Sequence, residues 1–279
     1  MKIICTSESG NSITIQYAFP FFYVSCEGLM TYTNNIITAE PYIPGEIYQG
    51  SHNPKRTMEL VFAVKHKDYW ALRETVYNVF GEKGLFQWYP DVGNWRSIEY
   101  YVESIECSDP NSQGFRQFNI TLICPFPFFS GVQTTVLMAY WQKNIMLPFV
   151  MQSPFTIGTR IMEQIKNIPN PQPVDVGILV TFSANGGDVT NPSLQNLTTG
   201  ESFALNVGIP SGNSVQVNTA NGKKRAVALN EPQAQNIWDY EQNDWIQLHP
   251  GDNVMRYDAS SGLEYLDVMI QYQQLYLGG

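Results

Sequence analysis

Residues 202–209, Ser-Phe-Ala-Leu-Asn-Val-Gly-Ile, alternate between apolar and polar or small side chains. Phe203, Leu205, Val207 and Ile209 share one parity; Ser202, Ala204, Asn206 and Gly208 share the other. Successive side chains of a strand point to opposite faces, so this parity predicts one buried and one wetted face. The same grammar continues outward. Val215 and Val217 lead into Asn221-Gly222, and Val227 and Leu229 lead out. Asn-Gly between alternating runs predicts a type I′ hairpin turn, whose two central residues both need φ > 0. Leu266, Val268, Ile270 and Tyr272 form a last alternating run. Short antiparallel strands at even spacing predict a β-sandwich, an architecture that serves recognition or assembly and carries no chemistry of its own.

The N-terminal half predicts strands with one helix. Residues 11–26 are strand-like, with Ile13 and Ile15 alternating with Thr14 and Gln16 and with Pro20 at a sheet edge. Met58, Leu60, Phe62 and Val64 place a strand over 57–64. Tyr69, Leu72, Val76, Val79 and Phe80 recur at helical spacing, with Asp68 as the expected N-cap and Gly81 as the stop. Further strands are expected from Gly84 to Tyr89, over 98–107 with a bulge near Ser104 where the parity slips, and over 115–124. Pro125, Pro127 and Gly131 mark a boundary, giving domains 1–133 and 134–279. Ile161, Ile165 and Ile168 hint at a helix, Pro169-Asn170-Pro171-Gln172-Pro173 ends it, and the sandwich proper is expected from Val174 onward.

The 279 residues are 43% hydrophobic, enough for a sizeable core, but only 15% charged, against about 25% in an ordinary domain. With 13% aromatics, that surface favours burial in interfaces. The net charge of −9 argues against binding the phosphate backbone of nucleic acid or an anionic membrane. Met1–Cys5 turns polar at Thr6, so no export signal is expected, and no run reaches the roughly 18 apolar residues of a membrane span. Cys5, Cys26, Cys107 and Cys124, widely spaced in apolar runs, read as reduced core residues of a protein made in the cytoplasm.

The motifs of catalysis are missing: no G-x-S-x-G, no phosphate-binding loop and no G-x-G-x-x-G occur. His52, His66 and His249 show no metal-ligand spacing, so no metal and no cofactor are expected. Glu99 with Glu103, and Asp239, Glu241 and Asp244 beside Trp238, Tyr240 and Trp245, are the carboxylates a glycosidase reading would use. The same three aromatics could grip a glycan without cleaving it. Lys223-Lys224-Arg225 is the one compact basic run, a solubilising turn or a contact with an acidic neighbour.

An ordered series of short motifs carries a resemblance. Asn191-Pro192, Asn196, Thr198-Thr199-Gly200-Glu201, Gly212, Asn218-Thr219, Gly222-Lys223-Lys224, Asp244-Trp245, Leu248, Pro250-Gly251, Asn253 and Tyr276-Leu277-Gly278 resemble the C-terminal domain of siphophage distal tail proteins. Arg56 before a strand, Asp68-Tyr69 with Arg73 in a helix, then Gly84, then Arg96 before the next strand are similar to that family's N-terminal domain. The resemblance implies a mainly β chain: a tail-tube-like, ring-forming N-terminal domain with one packed helix, then a galectin-like β-sandwich. It implies a ring, typically a hexamer, at the distal end of the tail tube. The ring would join tube to baseplate or tail tip and pass DNA through its centre. The implied partners are other copies of the chain, the tail tube protein and tail-tip or baseplate proteins. The implied location is the virion tail, after synthesis in the host cytoplasm. A glycan-binding module is the alternative reading, and a glycoside hydrolase the third.

One segment fits neither domain's core. Residues 34–54 hold three prolines and the apolar side chains Ile36, Ile37, Tyr42, Ile43, Ile47 and Tyr48. Proline suits a central strand poorly, yet these side chains need cover. They are the candidate inter-subunit arm, against the simpler expectation of a loop packed on its own domain.

Overall fold

The computed structural model describes residues 1–40, 45–143, 158–229 and 237–279. The chain forms two compact units: residues 1–132 with 275–279, and residues 133–274.

The first unit is built from β1 (Lys2–Ser7), β2 (Ser12–Gln16), β3 (Phe22–Glu27), β4 (Asn35–Ala39), β5 (Ile47–His52), β6 (Arg56–Lys65), helix α1 (Tyr69–Val79), β7 (Lys83–Tyr89), β8 (Arg96–Cys107) and β9 (Phe115–Cys124). Seven of these strands close on themselves in the order β8-β7-β1-β2-β3-β6-β9, with β9 returning to β8. A closed circuit of strands removes the sheet edges. The alternating residues Met58, Leu60, Phe62 and Val64 of β6 point inward and are fully buried. They meet Ile3 and Cys5 of β1, Phe86 of β7, Tyr100 of β8 and Phe118, Ile120 and Leu122 of β9 in one core. The register of β8 on β9 shifts between Val102 and Ser104, which is the bulge that the parity slip predicts.

Helix α1 buries Tyr69, Val76 and Val79, and Phe80 just beyond it stacks on Phe62 at 6.3 Å. Asp68 stands at the N-cap position, but its side chain makes no capping bond, against expectation. A 3₁₀ turn over His66–Asp68 precedes the helix, so Asp68 already has near-helical backbone angles, whereas a capping side chain works from an extended residue.

The four cysteines are free thiols. Burial pushes Cys5 well above the ordinary thiol range and pushes Cys26 and Cys124 up to about 12, with the neighbouring Cys124 adding to the rise at Cys26. The folded chain therefore holds protons that the unfolded chain releases above pH 9. Stability is full below that pH and falls as pH rises toward 12, by on the order of 1 kcal/mol per pH unit for each thiol. Urea unfolding at pH 8 and pH 10.5 measures this. The expected result is a loss that shrinks in Cys26→Ala; equal losses in both proteins would contradict it.

The second unit continues β10 (Phe129–Lys143) with β11 (Gly158–Met162), β12 (Ile165–Asn167), β13 (Val176–Ala184), β14 (Val189–Asn196), β15 (Ser202–Ala204), β16 (Gly208–Ile209), β17 (Ser214–Asn218), β18 (Arg225–Ala228), β19 (Gln247–Leu248), β20 (Val254–Ser261) and β21 (Leu266–Tyr276). One sheet runs β18-β17-β13-β21-β10, with β11 on β10 and β19 on β13; the other runs β12-β20-β14-β15, with β16 on β14. Phe182 of the first sheet meets Phe203 of the second edge-on at 6.1 Å, and the inward parity of both sheets is buried. This is the expected sandwich, but it starts earlier than Val174. The helical hint of Ile161 and Ile165 resolves into β11 and β12, because each is a short extended piece paired with a neighbouring strand.

Residues 202–209 keep the predicted alternation, with Phe203, Leu205 and Ile209 buried, but divide into β15 and β16. Opposite them, Pro192 has no N–H to give the ladder, and Asn191 takes φ 48°. The Asn221-Gly222 turn also departs from type I′. Only Gly222 has positive φ, 74°, and Lys223 N–H bonds the Ala220 carbonyl at 2.9 Å. The preceding residue decides this. Thr219 is fully buried and tied to β13: its hydroxyl accepts from Ile178 N–H at 2.9 Å and lies 2.7 Å from the Ile246 carbonyl.

Candidate functional site

Among the described residues, strands β4 and β5 pair only with each other, in a two-stranded sheet of their own. Asn35 opposes His52, Ile36 opposes Ser51 and Ile37 opposes Gly50; the register then shifts, and Thr38 opposes Tyr48. β-branched Ile36, Ile37 and Thr38 suit an extended backbone, which explains the hairpin. At its base, Tyr32 donates to Asn53 Oδ1 at 2.8 Å. Along it, Ile36, Ile37, Ile47 and Tyr48 stand 65%, 49%, 57% and 64% exposed. Tyr42 and Ile43 lie outside the described residues. The hairpin is thus an apolar ribbon that the rest of its own unit leaves largely uncovered.

Beside its root sits Arg56, 7% exposed and, among the described residues, without a carboxylate partner. Its Nε donates to Pro127 O at 2.8 Å; its Nη1 reaches Gly28 O at 2.8 Å, Leu29 O at 3.2 Å and Thr31 O at 2.6 Å; its Nη2 bonds Leu277 O. The guanidinium also lies 5.0 Å from the Phe129 ring centroid. Burial lowers the Arg56 pKa. Arg96 repeats the device, donating to Gly278 O at 2.7 Å with Tyr276 stacked at 4.1 Å. Five donors in a rigid fork let one arginine gather several carbonyls. Residues 27–31, which lead into the hairpin, and residues 277–278 are fastened by these two side chains.

Alternation gives no hint of a second exposed feature of this unit, formed by residues between β2 and β3 and on β3 and β9. Phe19 stacks on Phe115 at 5.5 Å and on Phe22 at 5.6 Å, and Tyr17 meets Tyr23 edge-on at 5.4 Å. The available signal is density: six of the residues 17–23 are aromatic or proline, more than one alternating strand can bury.

In the second unit, Lys223 and Lys224 are exposed in the β17–β18 turn and Arg225 opens β18; Lys224 Nζ lies 5.9 Å from the Trp245 ring. The aromatic trio does not form one outward surface. Trp238 is 3% exposed and stacks on Trp245 at 3.9 Å, Trp245 is half-buried, and Tyr240 alone is 72% exposed. Trp238 is therefore corrected from a glycan-facing candidate to a core residue, packed on Phe203 at 5.3 Å.

The nearby carboxylates tie turns. Asp239 accepts Glu241 N–H at 2.9 Å and Asp244 accepts Ser202 N–H at 3.1 Å. His249 Nδ1 lies 3.0 Å from Asp175 and its Nε2 3.3 Å from Glu201. The two nitrogens point to opposite sides of the ring, so the three groups do not converge on a point. Among the described residues, no set of three His, Cys, Asp or Glu side chains is arranged to hold a metal ion, and no helix is long and apolar enough to cross a membrane.

The short motifs of the second unit prove to be anchors. Asn253, fully buried, accepts from Asn196 Nδ2 and from His249 N–H at 3.0 Å each and donates to His249 O at 2.7 Å. Asn170 donates to Val174 O at 2.8 Å and Leu248 O at 2.9 Å.

No curated protein matches the sequence. Residues 173–276 match the family described as "Siphovirus-type tail component, C-terminal domain". The fold is similar to that of SPP1 Dit (gp 19.1), whose crystal structure is described as a paradigm of the hub adsorption apparatus in Gram-positive infecting phages. The TM-score is 0.66 at 14% identity, over 92% of this chain and 93% of that one. It is also similar to chains of the phage P2 baseplate in its activated conformation. With Ca the TM-score is 0.53 and with Sr 0.54, each at 11% identity over 97% of both chains. Residues 173–276 thus match a siphovirus-type tail component C-terminal domain, and the chain that carries them shares the fold of the SPP1 Dit hub protein.

Proposed function

We propose that this protein is a structural hub of the tail. Copies close a ring, six in number, at the distal end of the tail tube, joining the tube protein to tail-tip or baseplate proteins and passing DNA through the centre. Domain 1–133 builds the ring, and domain 134–279, a galectin-like sandwich, projects from it. The reading includes no enzymatic role, no cofactor and no membrane partner. Its place is the virion tail, reached after synthesis in the host cytoplasm. The family match and the hub and baseplate proteins of similar fold support this reading.

The observation that carries it is the β4–β5 hairpin. A lone two-stranded hairpin is marginal in water, and Ile36, Ile37, Ile47 and Tyr48 would each contribute about 1.5–3 kcal/mol if covered. A neighbouring copy supplies that cover in a ring, where one patch meets a different patch. The net charge of −9 suits a passage to which DNA does not stick.

The test replaces residues 36–52 with a short Gly-Ser linker. The expected product melts within a few degrees of the wild type but no longer forms a ring by light scattering. An intact ring would refute the arm, and loss of folding would mean that the segment packs on its own domain.

A further inference from the structure

The exposed aromatic surface of the first unit is the complement of its hairpin. Tyr17 is 61% and Phe19 40% exposed, while Phe22 and Phe115 are half-buried beneath them. Contiguous apolar surface of this kind marks an interaction site. Lys65 stands beside it on β6, with its Nζ 4.5 Å from the Phe19 ring centroid. Along its strands the hairpin exposes Ile36, Ile37, Ile47 and Tyr48, and exposed Glu40 and Glu46 stand where β4 ends and β5 begins. One surface is aromatic and carries a lysine; the other is apolar and carries two glutamates.

The signs also select the geometry. A twofold contact of hairpin on hairpin would set Glu40 and Glu46 against their own copies, which like-charge repulsion disfavours. A head-to-tail contact joins unlike surfaces and can close a ring.

We propose that the 35–52 hairpin of one copy lies on the Tyr17, Phe19, Phe22 and Phe115 surface of the next copy, with Glu46 facing Lys65. The occupant is a second copy of this chain, and the proposal rests on the ring reading above.

Two charge reversals in the full chain test it. Lys65→Glu and Glu46→Lys are each expected to weaken ring formation at least about tenfold by light scattering, since each sets like charges together. Mixed in equal amounts, the two variants are expected to regain rings. Each contact in an alternating ring then joins either the two native residues or the two reversed ones. Recovery on mixing also shows that both variants are folded. Single variants that assemble like wild type, or a mixture no better than either alone, would overturn the docking while leaving the ring reading in place. A wild-type protein that stays monomeric would overturn both.

Discussion

Arg56→Met is expected to destabilise the N-terminal unit by roughly 3–5 kcal/mol, because four part-buried carbonyls and the buried Leu29 carbonyl lose this donor at once, and an unsatisfied buried group costs about 1–3 kcal/mol. The guanidinium gathers the carbonyls of Gly28, Leu29, Thr31, Pro127 and Leu277, and methionine fills the volume without donating to any of them. Arg56→Lys should fall between, since an ammonium has three donors and lacks the planar fork. Urea unfolding measures the loss. Hydrogen exchange adds a local signature: the Gly279 N–H, 2.9 Å from Leu29 O, should lose protection first. A loss under about 1 kcal/mol in Arg56→Met would mean that water or neighbouring backbone replaces the arginine at little cost.

The second large effect is expected in the sandwich. A Cβ on Gly177 would stand 2.3 Å from Ala220 Cα and 2.6 Å from Ala220 N, and both are backbone atoms. Gly177→Val must therefore push the 219–222 turn off β13 and break the buried bonds of Thr219 to Ile178 and Ile246. Overpacking of this kind costs about 1–3 kcal/mol, and the lost hydrogen bonds about 1 kcal/mol each. The expected total is on the order of 3–5 kcal/mol, read as a lower denaturation midpoint of the second unit. Gly222→Ala makes a useful contrast: its Cβ meets nothing within 4 Å, so only the strain of φ 74° remains. Equal effects from the two substitutions would contradict the steric account.

What the sequence made legible follows the range of the interactions. Parity along one strand is local, so Met58 to Val64, Phe203 to Ile209 and Leu266 to Tyr272 announce their buried faces directly. The bulge near Ser104 is legible for the same reason. The turn at Asn221-Gly222 was misread because a distant strand decides it, through Thr219. The Asp68 cap failed because a 3₁₀ turn, which carries no periodic signal over three residues, precedes it.

The motif residues divide in the same way. Gly84 is needed where β7 crosses β1, since a Cβ there would meet Thr6 O at 2.3 Å. Arg56 and Arg96 stand out in the sequence as single residues ahead of strands, but the carbonyls they hold lie as far away as Leu277 and Gly278. The hairpin's apolar content was readable as an uncovered segment. The aromatic surface was not, because alternation cannot say which of seven crowded residues a closed barrel leaves outside.

The most direct test of the central claim is the oligomeric state of the full chain, by light scattering together with electron-microscope images of single particles. The account predicts a closed ring of six copies with a central opening, which becomes a folded monomer when residues 36–52 are replaced. A wild-type chain that remains monomeric at every concentration, or one whose ring survives loss of the hairpin, would contradict it.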